Sequence, residues 1–318
     1  MKRGFVCGLS TCVLILLSAR VGTCQSPVEP LQEARTLLAA GRLPQAEEIL
    51  RRHLKDDPTS AEAHYLLGDV LFRQQKARES LAEFTSGSKF KRPGAGELRT
   101  VASDYVLLGD FTDADKWFSE VTAETPNDAE AWYLLGRTKY NENRFAEAIT
   151  SFEHVLTLRP KDIRAEDNLG LSQQGLGHTE QAKTAFQTAI AWQSGAPTDA
   201  QPYLNLGTLL TDQGDPAGAI PQLEKAATLA PDNPRIHEEL GRALQSKGDM
   251  QGAQTQLEMA VKLAPNAAAL HFKLGQVYHR RSLNERAQQE FAICAKLNGA
   301  HSSTEVPNPF SPTGSTKP

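Results

Sequence analysis

The segment AEAWYLLGRTKYNENRFAEAITSFEHVLTLRPKD, residues Ala129 to Asp162, reads as two short amphipathic helices joined by a turn. The first helix places apolar or small residues at helical spacing, and they are Trp132, Leu135, Gly136 and Tyr140. A polar break at residues 141–143 separates it from a second apolar stripe that starts at Phe145. Pro160 ends the second helix, because proline disfavours the helical conformation in the preceding residue. Such a hairpin buries too little surface to be stable alone, so it requires neighbours.

The same hairpin pattern recurs eight times along the chain. A small residue of the first helix repeats every 34 residues, with one interval of 37: Ala34, Gly68, Ala102, Gly136, Gly170, Gly207, Gly241 and Gly275. Twelve residues later stands a second small residue: Ala46, Ser80, Ala114, Ala148, Ala182, Ala219, Ala253 and Ala287. A large apolar residue follows four positions on: Leu50, Phe84, Phe118, Phe152, Phe186, Leu223, Leu257 and Phe291. Three columns in phase over eight units predict stacked helical hairpins.

This pattern resembles the tetratricopeptide repeat. The resemblance rests on the 34-residue period and on the residues of the fourth unit: Trp132, Leu135, Gly136, Ala148, Phe152 and Pro160. It covers about residues 27–299. It implies an all-α, right-handed superhelical solenoid of about eight helix-turn-helix hairpins, with a concave face built mainly from the first helices. Proteins of this family usually bind peptides or partner proteins, so a protein or peptide partner is expected.

The repeat phase also predicts the domain boundaries. Units one to five occupy residues 27–194, a short insertion occupies residues 195–199, and units six to eight occupy residues 200–299. The three extra residues of the long interval lie within Gln193–Asp199. Residues 300–318 are rich in proline and hydroxyl groups and poor in apolar residues, so a disordered tail is expected there.

Residues 1–24 are typical of an export signal. A basic start is followed by the apolar run Phe5–Leu17, which is too short for a comfortable membrane span. Residues 21–24 resemble a bacterial lipoprotein processing box, which makes Cys24 a candidate lipidation site. The sequence leaves open whether Cys24 is lipidated or lost at cleavage. We therefore expect an exported protein, periplasmic or secreted, with membrane attachment only through a lipid on Cys24.

Charge and cysteine content exclude several kinds of function. The chain has 34 basic and 38 acidic residues, a formal charge of −4, and loss of the basic leader would make it more negative. An acidic protein argues against nucleic acid as the main partner, since phosphate contacts require a basic face. Among the four cysteines only Cys294 lies within the repeats, so no internal disulfide framework is expected, and Cys294 is interpreted as a small core residue.

No catalytic or metal-binding motif stands out. The sequence has no glycine-rich phosphate loop, HExxH motif, paired cysteines at metal spacing or nucleophile elbow. The eight histidines are scattered, and His271 and His279, eight residues apart on one helix, are interpreted as solvated surface residues. We therefore expect no enzyme activity, no cofactor and no metal site.

The first helices supply the candidate ligand contacts. The residues expected to face the groove are Tyr65, Asp69, Phe72, Arg99, Tyr133, Arg137, Tyr140, Asp167 and Asn168. Aromatic rings beside guanidinium groups suit an extended peptide, because rings give contact area and arginine binds carboxylates or carbonyls. The alternative is that Tyr133 and Tyr140 only pack within the helices. The two-carboxylate clamp of chaperone-tail binders is absent, since Tyr133 and Arg137 stand where lysine and asparagine belong.

Two functions remain open from the sequence. The first is an exported, non-enzymatic scaffold that binds proteins or peptides through its concave face and helps to assemble an envelope complex. The second is an accessory subunit of a polysaccharide or envelope biosynthesis machinery, which presents a catalytic protein to its substrate.

Overall fold

The computed structural model describes residues 29–193, 195 and 197–302, with side chains through Gly299. The predicted export signal, Cys24 and all but the start of the predicted tail lie outside these residues. Within the described ranges the chain forms sixteen α-helices and no strand. Consecutive helices pair into eight hairpins, each made of a first and a second helix.

First and second helices alternate along the described residues. In chain order they are α1 Pro30–Ala39, α2 Leu43–Asp56, α3 Ala61–Arg73, α4 Ala77–Ser88, α5 Ala95–Leu108, α6 Phe111–Glu124, α7 Ala129–Asn141, α8 Phe145–Leu158, α9 Ile163–Gly175, α10 Thr179–Trp192, α11 Gln201–Asp212, α12 Pro216–Leu229, α13 Pro234–Lys247, α14 Met250–Leu263, α15 Ala268–Arg280 and α16 Asn284–Ser302. None of the helices in the described part of the chain is both long enough and apolar enough to cross a membrane.

Local side-chain chemistry explains where the helices begin and end. Asp128 caps α7 by accepting hydrogen bonds from the backbone N–H groups of Glu130 and Ala131. Such a cap satisfies donors that have no partner inside the helix. Between the two helices of a unit the backbone turns through the left-handed region, with φ of 76° at Gly109 and 59° at Asn143. Glycine and asparagine accept this conformation at little cost.

The small-residue column lets the two helices of each hairpin approach closely. A Cβ atom added at Gly136 would lie 2.7 Å from the ring of Phe152, and one at Gly170 would lie 2.6 Å from Phe186. Both rings are fully buried. Burying such a side chain contributes on the order of 2–3 kcal/mol, so this column and the aromatic column together hold each hairpin closed.

The first helices form the inner face of the array. Besides pairing within its hairpin, α1 contacts α3, α3 contacts α5, α7 contacts α9, and α11 contacts both α9 and α13. Each second helix from α2 to α14 packs between its own first helix and that of the next unit. The predicted fold class is confirmed: over the residues that the structure describes, the chain is an all-α superhelical solenoid of eight helix-turn-helix hairpins.

The buried side-chain amide of Gln193 helps to hold the insertion. Helix α10 ends at Trp192 and α11 begins at Gln201. Between them the Gln193 side chain accepts hydrogen bonds from the N–H groups of Thr198 (3.1 Å) and Asp199 (2.9 Å) and donates one to the Asp199 carbonyl oxygen (3.2 Å). This amide therefore links the fifth unit to the sixth, where the repeat phase changes.

The last hairpin differs from the sequence-based expectation in two ways. Helix α16 continues to Ser302, three residues into the segment predicted as tail. Cys294 is half-buried rather than buried, and Ile293 beside it is 39% exposed. The exposure of Cys294 and Ile293 follows from the packing, because α15 is the neighbour against which α16 packs within the described residues.

His271 also differs from its prediction. It was expected on the solvated surface but is 4% exposed, whereas His279 on the same helix is exposed as expected. The His271 ring lies between the Glu290 carboxylate at 2.6 Å and the Pro265 carbonyl oxygen at 2.9 Å. Helical spacing alone does not separate the two histidines, since only tertiary contacts supply these partners. No cluster suited to a metal ion occurs among the described His, Cys, Asp and Glu residues.

Candidate functional site

Seven of the nine predicted ligand contacts line two depressions between the first helices. Tyr65, Asp69 and Arg99 line the first depression, which spans units one to three. Tyr133, Arg137, Asp167 and Asn168 line the second depression, which spans units four to six. Phe72 and Tyr140 line neither, and the Tyr140 ring instead packs against Phe145 with centroids 5.4 Å apart. The structure thus divides the predicted cluster into two separate places.

The first depression is a cavity of about 350 Å³ with an aromatic floor. The ring of Tyr65, which is only 7% exposed, stacks on Phe84 with centroids 5.9 Å apart. The Tyr65 hydroxyl group donates a hydrogen bond to the carbonyl oxygen of Lys91. Burial raises the pKa of Tyr65, and the charge of Glu97 acts in the same direction. The floor is therefore a fixed, neutral aromatic surface.

Ion pairs surround that floor. Asp69 pairs with Arg73 at 3.2 Å on the same helix. Arg99 pairs with Asp128 of the next unit at 3.0 Å. Arg35 pairs with Glu62 across the first junction at 2.7 Å, with both side chains about half exposed. Exposed pairs contribute about 0–1 kcal/mol each, so a charged ligand can replace either partner at little cost.

The second depression, about 290 Å³, is built around Tyr133. This ring is 7% exposed and packs on Phe152, with centroids 5.9 Å apart. The guanidinium group of Arg164 lies over the ring at 4.6 Å from its centroid, and the Asn168 amide donates to the hydroxyl oxygen at 3.3 Å. Tyr133 is thus a packing residue whose hydroxyl group still reaches the depression.

Arg137 and Arg164 are both exposed cations at this place. Arg137 differs from Arg164 in its partners. It forms no ion pair with any described residue, whereas Arg164 opposite it pairs with Glu130 at 3.1 Å. Burial raises the pKa of the Tyr133 hydroxyl group, and the charges of Arg137 and Arg164 act against that rise. The Arg137 guanidinium group is therefore available for a carboxylate or carbonyl group of a ligand.

The floor of the second depression contains a buried acid. Asp167 is 3% exposed, and the amide group of Asn205 donates to both of its carboxylate oxygens, at 2.9 and 3.0 Å. Gln201 in turn donates to the Asn205 side-chain oxygen at 2.9 Å. Burial raises the pKa of Asp167 to about 7, against the lowering effect of Asn205. Asp167 and Asn205 are 38 residues apart. The pair can be found in the sequence only when the fifth and sixth units are aligned with the 37-residue interval instead of the regular 34-residue spacing.

The comparisons with known proteins agree with the geometry of the hairpins. Three family models, each described as tetratricopeptide repeat, match residues 31–87 and 168–234, residues 129–162, and residues 210–276. Among curated proteins, Protein O-mannosyl-transferase TMTC1 of Mus musculus is 27% identical over 149 residues, which is 46% of this chain and 16% of that protein. The Peroxisomal targeting signal receptor of Candida glabrata is 34% identical over 74 residues, 23% of this chain and 12% of the receptor.

This chain therefore matches only a small part of each of these relatives. Among solved structures, a tetratricopeptide repeat protein from Parabacteroides merdae superposes with a TM-score of 0.64 at 21% identity, covering 78% of this chain and 97% of that one. The likeness at this identity concerns the fold. With eight phased hairpins and three family models in agreement, the chain is built of tetratricopeptide repeats.

Proposed function

We propose that this chain is a non-enzymatic scaffold that holds a protein or peptide segment on its inner face. The observation that carries the proposal is the exposed Arg137 guanidinium group, which has no carboxylate partner among the described residues and stands beside Tyr133 and Asn168. Repeat proteins of this family bind protein partners, and one relative is named as a receptor for a targeting signal.

The chemistry of the two depressions suits an extended segment. The first offers the aromatic floor of Tyr65 and Phe84 within a ring of replaceable ion pairs. The second offers a guanidinium group and the Asn168 amide, which bind carboxylate and main-chain carbonyl groups. A peptide segment that crosses both depressions would place an apolar side chain in the first depression and a polar or acidic group in the second depression.

Photocrosslinking in the native cell tests this proposal. A benzoylphenylalanine residue replaces Arg137 on the inner face, and the matched control replaces Gln187, which is exposed on the second helix α10. We expect a defined partner to be crosslinked from position 137 and not from position 187. Crosslinks of equal yield to the same proteins from both positions would contradict an inner-face ligand.

We also propose that the protein is exported and acts in the assembly of an envelope complex. This rests on the apolar run Phe5–Leu17 and on the processing box that ends at Cys24, both outside the described residues. Mass spectrometry of the mature N-terminus, with metabolic labelling by a fatty acid, tests it. Cleavage before a lipidated Cys24 would establish attachment, and an uncleaved Met1 in the cytoplasm would contradict export.

A further inference from the structure

The last hairpin exposes a large side chain that is buried in every other unit. In units one to seven the large residue of the second helix, from Leu50 to Leu257, is buried. Phe291 is the equivalent residue of the eighth unit and is only half-buried. The neighbours account for this difference, because a following first helix packs on each second helix from α2 to α14, whereas no first helix follows α16 among the described residues.

Two neighbouring positions show the same exposure. Three residues after the large residue the side chain is buried in units three to seven, whereas Cys294 at this position in unit eight is half-buried. Phe272 of α15 stands three residues before the small-residue column, as Tyr65 and Tyr133 do, but is 48% exposed against 7% for each tyrosine. The rings of Phe272 and Phe291 pack together with centroids 5.7 Å apart. We call the surface formed by Phe272, Phe291 and Cys294 the end face.

The internal junctions show what covers such a surface. At the junction of units four and five, Ala165 and Leu169 of α9 pack in one cluster with Phe152 of α8. At the junction of units six and seven, Ile236 and Leu240 stand at the same two positions of α13 and pack in one cluster with the second helix before them. The covering element is therefore an amphipathic helix that contributes apolar residues at positions i and i+4.

A polar contact from the covering unit accompanies the apolar one. Directly after the second small-residue column, Glu47 accepts a hydrogen bond from the side chain of Gln74 at 2.9 Å. At the same position Asp115 accepts one from Arg144 at 2.7 Å. Gln288 holds this position in α16 and is exposed. Its side-chain oxygen can therefore accept a hydrogen bond from a basic or amide group at the end of a covering helix.

The internal junctions also show how the exposed ring of Phe272 would be covered. In the fourth unit the guanidinium group of Arg164, from the following first helix, lies over Tyr133 at 4.6 Å from the ring centroid. Arg164 directly precedes Ala165, the first residue of the apolar pair. A covering helix with a basic residue at this place would set a cation over the negative face of the Phe272 ring.

A second copy of this chain joined end to end does not match the end face. It would present α1, which carries the exposed acid Glu33 at the position of the second apolar residue of the pair. Glu33 would bring a carboxylate against the Phe291 ring, and burial of a charge without a partner is unfavourable. Residues 303–318 contain three prolines before the terminal one, and proline disfavours the interior of a helix. A helix of a different protein is therefore the occupant that matches the pattern of the junctions.

We propose that the end face binds an amphipathic helix of a partner protein in the place that a ninth first helix would take. The partner helix carries apolar residues at i and i+4 against Phe291 and Cys294, with a basic residue just before the first of them over Phe272. A basic or amide residue about two turns later lies beside Gln288. The end face shares no residue with the two depressions, so this second binding surface is independent of the ligand proposed for the inner face.

Photocrosslinking in the native cell identifies the occupant. A benzoylphenylalanine residue replaces Gln288, whose equivalents in the other units are buried or half-buried, and the matched control replaces Gln289, whose equivalents, such as Glu48 and Lys116, are exposed. We expect position 288, and not position 289, to crosslink a segment of one partner that carries the apolar pair and its basic residues. Crosslinks from position 288 to a second copy of this chain or to residues 303–318, equal crosslinks from both positions, or none from position 288 would overturn the proposal.

A synthetic peptide tests the surface without the partner. Its sequence is that of residues 268–283, which contain the apolar pair Leu270 and Leu274 followed by Arg281. Fluorescence anisotropy of the labelled peptide with the full-length protein should show binding with a Kd below about 1 mM. The same peptide with Leu274→Glu copies the acid that α1 carries at Glu33 and should bind at least about tenfold more weakly. Absence of binding by the unchanged peptide, or equal binding by both peptides, would overturn the proposal.

Variants of the protein place the peptide on the end face. Cys294→Glu puts a charge on that face and should weaken peptide binding by about tenfold or more. Ile293→Glu is the matched control, because Ile293 and its equivalent Met259 are each 39% exposed, so this position lies outside the junction. Equal binding by the two variants would overturn the proposal. If Cys294→Glu disturbed α16, the crosslinks from the exposed position of Gln288 would still decide the question.

Discussion

Asp104 carries a carboxylate at a position of the first helix where the neighbouring units carry Val70 and Thr138, and all three side chains are buried. Neither carboxylate oxygen of Asp104 has a hydrogen-bond partner among the described residues. Burial raises the pKa of Asp104 to about 6, the Ser80 side chain opposes this rise, and the charge of Asp69 adds to it. At neutral pH a buried, charged group without partners therefore opposes folding.

The substitution Asp104→Asn should stabilise the protein at neutral pH. The pKa is raised in the folded state, so the wild-type protein loses stability as the pH rises from the ordinary value of 3.8 to about 6. An amide of the same shape carries no charge, and we expect a gain on the order of 2 kcal/mol near pH 7.5 and little change near pH 4.

Urea unfolding at the two pH values checks this prediction. Asp232→Asn, at an exposed position, serves as the matched control and should change the free energy of unfolding little at either pH. An Asp104→Asn variant whose stability differs from wild type by the same amount at both pH values would contradict a raised pKa of the buried Asp104 carboxyl group.

At the scale of the hairpin, the close approach of the two helices depends on the small-residue column. Gly170 contacts the fully buried ring of Phe186, and a methyl group there would lie 2.6 Å from that ring. Gly96 is also helical, yet a Cβ atom there would meet nothing within 4 Å. Comparing an alanine substitution at Gly170 with one at Gly96 therefore separates the effect of packing between helices from the effect of helix propensity.

We expect Gly170→Ala to destabilise the protein by about 1–3 kcal/mol, because the added methyl group must displace a packed ring. Gly96→Ala should instead be neutral or stabilising by up to about 1 kcal/mol, since alanine favours the helix more than glycine. Thermal or urea unfolding measures both. Equal effects of the two substitutions would show that the column does not limit the approach of the helices.

At the scale of the whole molecule, the stability of a solenoid depends on its junctions as well as on its units. The junction between units five and six is the one that departs from the 34-residue spacing, and there Gln193 bonds the backbone of Thr198 and Asp199. Its side chain is 6% exposed, so these bonds are shielded from water. Gln193 thus adds to the contacts between α10 and α11 that couple the first five units to the last three.

Gln193→Ala should weaken that coupling. Loss of three partly buried hydrogen bonds is expected to cost about 2 kcal/mol and to broaden the urea transition, because the two halves then unfold less cooperatively. Gln187→Ala, at an exposed position of α10, is the control and should leave the transition sharp. A transition of unchanged width in the Gln193 variant would contradict this role.

The sequence by itself determined the units of this protein. The 34-residue period, the small and aromatic columns such as Gly136 with Phe152, and the turn at Asn143 all depend on contacts within one hairpin or with the next. Such contacts repeat at a fixed spacing, so they leave a pattern in the sequence. The hairpin order followed from that pattern, and the inner face of first helices was what the resemblance to the tetratricopeptide repeat implied.

Only the tertiary structure decided the state of individual polar residues. Tyr133 and Asp167 occupy the same helical position in successive units, yet one is a packed ring and the other a buried acid bonded to Asn205. His271 is buried, whereas the sequence indicated a solvated surface. Their side-chain partners lie 19 to 38 residues away and differ from unit to unit. The division of the candidate site into two depressions has the same origin. A periodic sequence specifies which positions meet, whereas the chemistry at each junction depends on the particular side chains that the fold brings together.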